Sequence, residues 1–473
     1  MSAPATVPPP GDTEPPPDAA IARLLADVRG LQARELTEVV ARRIESGALT
    51  AGSRLPTIRD LAAASGASVS AVAAAWSRLG ERGLIRTRRR GGTVVVGPPS
   101  ATPTPPVPTS AAAPRPFHGW AAVDLSSAHP AAEHLPDLRR AFESSLGEPR
   151  THALQREHIT ELLRATVADG WPFPAEAWTT VSGSGEATLM TCEAATPPGG
   201  LVAVQEPTTP GTVANLRSLG YATIGVAADP DGPREDSLAA ALDAGARTFL
   251  HQPRGTLSVH TRLTTERSAA LADVILTRAP DTWVVEEDVA GGIAAAAGDP
   301  TLAGVLPDRV VRLTSYCRAF GIDLRTTVIG GARDVVDRVR ELRSHGIVAQ
   351  SRILQNALAY MLRDPRALAA VDHAAGEHAG RAAALRAALD RHGVPSWSPP
   401  GDLLVWLPAR DEGQALAELA AAGINLVPAS RTFVTAPARP LLRVATPQLP
   451  GAVRMPELAE LLVAAGRDGV VDA

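Results

Sequence analysis

The chain has no lysine: all 46 of its Lys+Arg residues are arginine. Lysine is ordinarily among the commonest residues, and even a usage of ~2% would place roughly nine in a chain this long. Two explanations fit, a GC-rich coding bias toward arginine and an avoidance of amine chemistry such as reaction with an electrophilic ligand. Under either, no side chain carries a primary amine, which excludes any chemistry that runs through a lysine Schiff base. Cysteine is scarce, with only Cys192 and Cys317 in 473 residues. That excludes a disulfide framework and fits a reducing cytoplasm. No apolar run approaches the ~18–20 residues that span a bilayer. The opening MSAPATVPPPGDTEPPPD lacks a basic n-region and an apolar h-region, so no secretory signal is expected.

What is present is ordinary globular composition, 45% hydrophobic and 20% charged, in a chain long enough for several domains. Residues 1–20 read as a Pro-rich disordered tail. A compact basic segment follows at 21–97. GPPSATPTPPVPTSAAAPRPF, Gly97 to Phe117, then places a semi-rigid Pro-rich linker at 98–117. From 118 to 473 strand-like apolar runs alternate with amphipathic helical patterns, which predicts an α/β body. GLVAVQ, YATIGVA, TFLHQ, WVVEED, VVRLTS and TTVIGG are the strand candidates, and PREDSLAAALDAG and TERSAALADVILTRA the helices between them. Residues 31–97 carry 11 arginines against 5 acidic residues, a balance of +6 in a chain of −4, so the remainder carries −10. A basic module tethered to an acidic body points to an anionic partner for the small part alone.

The basic segment reads as three helices and a hairpin. Val39, Val40 and Ile44 give the first helix an apolar face, ended at Gly47. Pro56 and Thr57 open a second helix that closes at Gly66. Ser68 is a natural N-cap for a third, with Val72, Ala75, Trp76 and Leu79 inward and Gly83 as its stop. LIRT and TVVV then form a hairpin around RRRGG, giving a winged helix-turn-helix. IESGALTAGSRLPTIRDLAAASGAS resembles the GntR family over about sixty residues. The resemblance implies a double-stranded DNA operator contacted by Arg59, by Ser68, Val69 and Ser70 at the head of the third helix, and by Arg88, Arg89, Arg90 and Gly91 at the wing tip. Val69 stands where the family commonly has an arginine, and a valine can meet a thymine methyl.

The large segment resembles the MocR subfamily, whose second domain has the fold type I aminotransferase architecture. That implies a large α/β domain with a small C-terminal subdomain from about residue 360, and a homodimer formed through it. TTVSGSGEATLM matches the glycine-rich turn that holds the cofactor phosphate at a helix N-terminus, through Ser182, Gly183, Ser184 and Gly185. In VQEPTTPGT, Thr209 replaces the aromatic that stacks on the pyridine ring. In WVVEEDVAGG, Glu287 replaces the aspartate that pairs with the pyridine nitrogen, and Val289 the tyrosine at the ring hydroxyl. In LTSYCRAFGIDLR, Cys317-Arg318 occupies the serine-lysine position, and Arg325 that of the phosphate-binding arginine. Arginine stays cationic and cannot act as an amine nucleophile.

These exchanges predict a non-enzyme: covalent pyridoxal phosphate is excluded by the absence of lysine, and its noncovalent binding is disfavoured. Arg318, Arg325 and Arg443, with Glu287, Ser184 and Gly185, then suit a small anionic or electrophilic effector. An alternative has Arg318 pair with Glu287 or Glu286 and simply fill the site. Cys317 beside Arg318 is either an electrophile sensor or inert. The expected function is a cytoplasmic transcription regulator. A large domain that only dimerises or answers to a protein partner stays open, with a pyridoxal-dependent aminotransferase as the remote alternative.

Overall fold

A computed structural model of the chain describes residues 33–45, 49, 53–81, 84–88, 92–95, 123–258, 262–294, 300–346, 348–451 and 454–466. The Pro-rich tail and linker, and Gly47 and Gly83 as helix stops, lie outside the described residues. The chain divides into two compact units, residues 1–111 and 112–473.

In the first unit, α1 (Ala33–Glu45) buries Leu36, Val40, Ala41 and Ile44 along one helical face. β1 (Arg54–Leu55) precedes α2 (Ile58–Ser65). Thr57 caps α2: its hydroxyl accepts the Asp60 N–H at 3.2 Å and donates to the Asp60 carboxylate at 2.6 Å. Gly66 closes α2 with a left-handed φ of 74°, a conformation that favours glycine. Ser68 caps α3 (Val69–Glu81) by accepting the Ala71 N–H at 3.1 Å. Val72, Ala75, Trp76 and Leu79 of α3 are buried, as their spacing requires. β2 (Ile85–Arg88) and β3 (Gly92–Val95) make the antiparallel hairpin with Arg88 opposite Gly92. β1, which the sequence pattern does not reveal, pairs with the other edge of β3. Two residues are too few to show a period.

The second unit opens with β4 (Val123–Asp124) and is built on an eight-stranded sheet. Its members in chain order are β5 (Ala177–Val181), β6 (Leu201–Glu206), β7 (Ala222–Asp229), β8 (Gly232–Pro233), β9 (Thr248–His251), β10 (Trp283–Asp288), β11 (Val310–Ser315) and β12 (Thr327–Gly331). The spatial order is β5-β12-β11-β10-β9-β6-β7-β8. The strands from β11 through β10, β9 and β6 to β7 run parallel, while β12 is antiparallel to both its neighbours. All six strands expected from the sequence lie in this sheet. The two expected helices appear as Glu235–Asp243 and Thr265–Arg278. Parallel strands need crossovers that cover both faces, which is why β9 and β11 are buried at every residue.

The C-terminal part carries β13 (Leu404–Pro408), β14 (Ile424–Asn425) and β15 (Leu441–Ala445), with β13 and β15 antiparallel. Alternation along β13 sends Val405 and Leu407 into one apolar cluster with Leu385, Leu419 and Leu458. Leu404 and Trp406 go into another with Tyr316, Phe320 and Leu324 of the sheet-end turn. Fully burying an aromatic such as Trp406 removes roughly 150–250 Å² from water, on the order of 4–6 kcal/mol of transfer free energy. β4 pairs in parallel with β14, and the Ala445 N–H donates to the Leu125 carbonyl at 3.0 Å. The first described residues of this unit are thus stitched to its C-terminal strands.

Gly291 sits at the turn after β10 with a φ of 49°, and an added Cβ would lie 2.4 Å from the Ser315 carbonyl oxygen. Gly291→Ala is therefore expected to lower stability by roughly 2 kcal/mol or more. Gly304→Ala, with open space at its Cβ, is expected to change little. Urea denaturation of the two variants compares them, and equal midpoints would contradict the packing described.

Candidate functional site

The head of α3 faces solvent. Ser68 and Ser70 are exposed with their hydroxyl oxygens 3.0 Å apart, and Val69 between them is 54% exposed. Arg59 is exposed on α2. A methyl group flanked by hydroxyls is what a major-groove edge can read. Arg88 ends β2, and Arg89, Arg90 and Gly91 lie outside the described residues.

In the second unit the site grows from the alternation of β10. Glu286 pairs across the sheet with Arg312, and their side chains meet at 3.4 Å. Asp288 lies 3.6 Å from Arg312 and 3.7 Å from Arg254. Burial pushes the Glu286 carboxyl above its ordinary range, against the pull of Arg312 and the Leu302 N–H. Glu287 points to the opposite face, as the two-residue period of a strand requires. There its carboxylate accepts the hydroxyls of Thr188 at 2.6 Å and Thr209 at 2.8 Å, and the Gln252 side-chain N–H at 2.6 Å. Thr188 and Gln252 are members of this cluster that motif matching does not reveal.

The glycine-rich turn leads into the helix Ser184–Ala195, with Ser184 half-buried and Gly185 exposed. The helix's own first turn supplies an anion: Glu186 accepts the Ser182 N–H at 2.8 Å and lies 3.7 Å from Arg343. Such a carboxylate answers the positive end of the helix dipole locally. Arg325 stands exposed in the left-handed region with a φ of 33°. Its Nε donates to the Ser182 carbonyl at 3.2 Å.

Arg318 is placed differently. It is 7% exposed in the short helical turn Cys317–Phe320. Its Nε donates to the Ala128 carbonyl at 3.2 Å and its Nη1 to the Val289 carbonyl at 2.8 Å. The expected pairing with Glu287 or Glu286 is not formed, because Glu287 is taken by its three donors and Glu286 faces Arg312. The expected floor of Arg318 and Arg325 also divides, one residue buried and the other exposed. Burial lowers the Arg318 pKa, opposed by the charges of Glu287 and Asp288. Cys317 is itself buried, and Cys192 more so, its thiol pushed well up by desolvation.

Arg443 joins Arg318 instead. It lies opposite Trp406 in the β13–β15 register, so it shares the face of β13–β15 on which Trp406 packs against Phe320. It is 2% exposed, Nη1 donates to the Ser126 carbonyl at 3.3 Å, and Nε has no partner. Burial, with the Arg318 charge added, brings its pKa down to about 9. His129 completes the group: burial and then Arg318 pull its imidazole down to about 4. No sequence motif marks His129.

The profile of bacterial regulatory proteins of the gntR family matches residues 32–95. The chain is 29% identical, over 88% of its length and 94% of the relative's, to the vitamin B6 salvage pathway transcriptional repressor PtsJ of Salmonella typhimurium. It is 27% identical to the pyridoxine biosynthesis transcriptional regulator PdxR of Corynebacterium glutamicum, over 60% of this chain and 62% of that one. The chain thus joins an N-terminal GntR-type helix-turn-helix domain to a large α/β domain, and over most of its length it is similar to a transcriptional repressor. Its large domain has the aminotransferase fold: Pyrococcus horikoshii kynurenine aminotransferase superposes with a TM-score of 0.65 at 16% identity, covering 73% of this chain and 92% of that one. Thermus thermophilus α-aminoadipate aminotransferase LysN does so with a TM-score of 0.64 at 20% identity and the same coverage. Among the described residues no helix of the chain is long and apolar enough to cross a membrane.

His129 gives a pH test. Its folded-state pKa is lowered from 6.5 to about 4, so its contribution is fully present above pH 6.5 and is lost as pH falls toward 4, because the unfolded chain takes the proton first. His378, also lowered to about 4, acts in the same direction. Urea stability of the wild type is expected to fall across this window. His129→Asn should remove close to ~1.4 kcal/mol per pH unit of that slope. Parallel slopes would refute the assignment.

Proposed function

We propose that this regulator binds a double-stranded DNA operator as a cytoplasmic homodimer, and that its aminotransferase-like domain senses a small anionic metabolite without pyridoxal phosphate and without catalysis. The DNA reading rests on the exposed Ser68-Val69-Ser70 head of α3, the basic balance of the segment and the gntR profile match. The observation that carries the effector reading is the pair Arg318 and Arg443, both more than nine-tenths buried and, among the described residues, bonded to carbonyls rather than to carboxylates. Buried cations without a paired anion are costly, and a ligand carboxylate or phosphate relieves that cost.

The residues present do not fit pyridoxal phosphate. No side-chain amine exists to bond its aldehyde. The carboxylate that should meet the pyridine nitrogen is held by Thr188, Thr209 and Gln252, and Glu186 already places a negative charge at the helix end where a phosphate would sit. That PtsJ is a regulator of vitamin B6 salvage and PdxR one of pyridoxine biosynthesis favours one second reading, a vitamin B6 vitamer bound without a covalent bond. Spectroscopy and thermal shift separate the two. Added pyridoxal phosphate is expected to give no aldimine absorbance band with the wild type, and none with Arg318→Lys, because Thr209, Val289 and Glu287 are unchanged. A band in either protein, or a melting shift specific to a B6 vitamer, would overturn the cofactor-free reading. Operator binding should weaken steeply with salt as phosphate contacts release counterions. A flat salt response would remove the wing and α3 from the interface.

A further inference from the structure

The two buried guanidinium groups are held by one short segment. Arg443 donates to the Ser126 carbonyl at 3.3 Å and Arg318 to the Ala128 carbonyl at 3.2 Å. The same segment is laced to the C-terminal strands. The Leu125 N–H donates to the Asn425 carbonyl at 2.9 Å, the Leu125 carbonyl accepts from Ala445 at 3.0 Å, and the Gln448 side chain donates to the His129 carbonyl at 3.1 Å. In sequence, seven residues separate it from the Pro-rich stretch that joins the DNA-reading unit to this one.

The charges around the pair do not balance. Arg318 and Arg443 bring two positive charges, and Glu287 brings the nearby negative one. Asp288 is already engaged with Arg312 and Arg254. One further negative charge completes the site, and the unpartnered Nε of Arg443 is a donor waiting for it. A carboxylate accepts from guanidinium roughly twice as strongly as a neutral carbonyl does, so an incoming anion competes with Ser126 and Ala128 for the same N–H groups.

We propose that Leu125–His129 is the relay from effector to linker: a ligand's single carboxylate group, seated between Arg318 and Arg443, takes the N–H groups now given to Ser126 and Ala128 and loosens the segment next to the linker. The proposal rests on the effector reading above. It makes the effector a carboxylate whose binding alters how the linker is anchored, and through it the pairing of two DNA-reading units with their operator.

Hydrogen–deuterium exchange on the full-length protein tests it, with acetate and inorganic phosphate as probes against chloride at equal ionic strength, alongside melting curves and operator titration. Acetate is expected to speed amide exchange in peptides covering residues 123–134 by about threefold or more, and to change operator affinity by about fivefold or more. Both effects should vanish in Arg318→Met and Arg443→Met. Should a variant fail to fold, the wild-type exchange alone decides. If acetate raises the melting temperature but leaves exchange at 123–134 unchanged, the relay is wrong while the effector reading stands. If neither anion shifts melting or exchange, both are wrong. Faster exchange with phosphate and not with acetate overturns the carboxylate assignment.

Discussion

A guanidinium group buried without a carboxylate sets the terms for the second unit. Taking Arg318 out of water costs several kcal/mol that hydrogen bonds to carbonyls offset only in part. The fold meets that cost by converging three pieces on it: the end of β10 through Val289, the segment after the linker through Ala128, and the more distant charge of Glu287. Arg443 repeats the arrangement from the C-terminal strands, with one N–H left over. The place where the segment after the linker, the end of β10 and the C-terminal strands converge therefore holds two buried guanidinium groups, one with an unpartnered Nε.

The other face of β10 shows the contrast. Arg312 is as deeply buried, yet it lies against Glu286 and Asp288, and Glu286 is further satisfied by Thr301 and the Leu302 N–H. One face is an electrostatically closed core and the other is left open, although a single strand supplies the carboxylates to both. Fold and function separate at this point: a likeness to aminotransferases at 16–20% identity describes the scaffold, while the bonding of each side chain describes what the scaffold holds.

Much of the scaffold was legible. The caps at Thr57 and Ser68 and the left-handed stop at Gly66 follow from local chemistry, and the structure forms them as read. Five of the six apolar runs became strands that are almost wholly buried, as strands inside a covered sheet are, while β7, beside the edge strand β8, is mostly half-buried. The strands that escaped notice are β1, β4, β5, β8, β13, β14 and β15. Four of them are only two residues long, and β5 leads straight into the serine-glycine turn that drew the reading. The cluster around Glu287 was half legible. Glu287 and Thr209 stood out by motif, while Thr188 and Gln252 carry no local signal and enter only because a helix and the end of β9 reach the same carboxylate.

The sequence by itself determined that no side-chain amine is present, that a basic three-helix segment precedes an acidic α/β body, and where most strands run. Those follow from composition and period, which are properties of neighbours along the chain. The tertiary structure alone decided that Arg318 and Arg325, seven positions apart in one loop, part company, one buried against carbonyls and the other turned to solvent by the left-handed backbone at Arg325. It also decided that Arg443, more than a hundred residues on, becomes the companion of Arg318. Which charges share a buried space depends on the facing of β-strand registers and the closure of long loops, and neither leaves a mark in the local pattern.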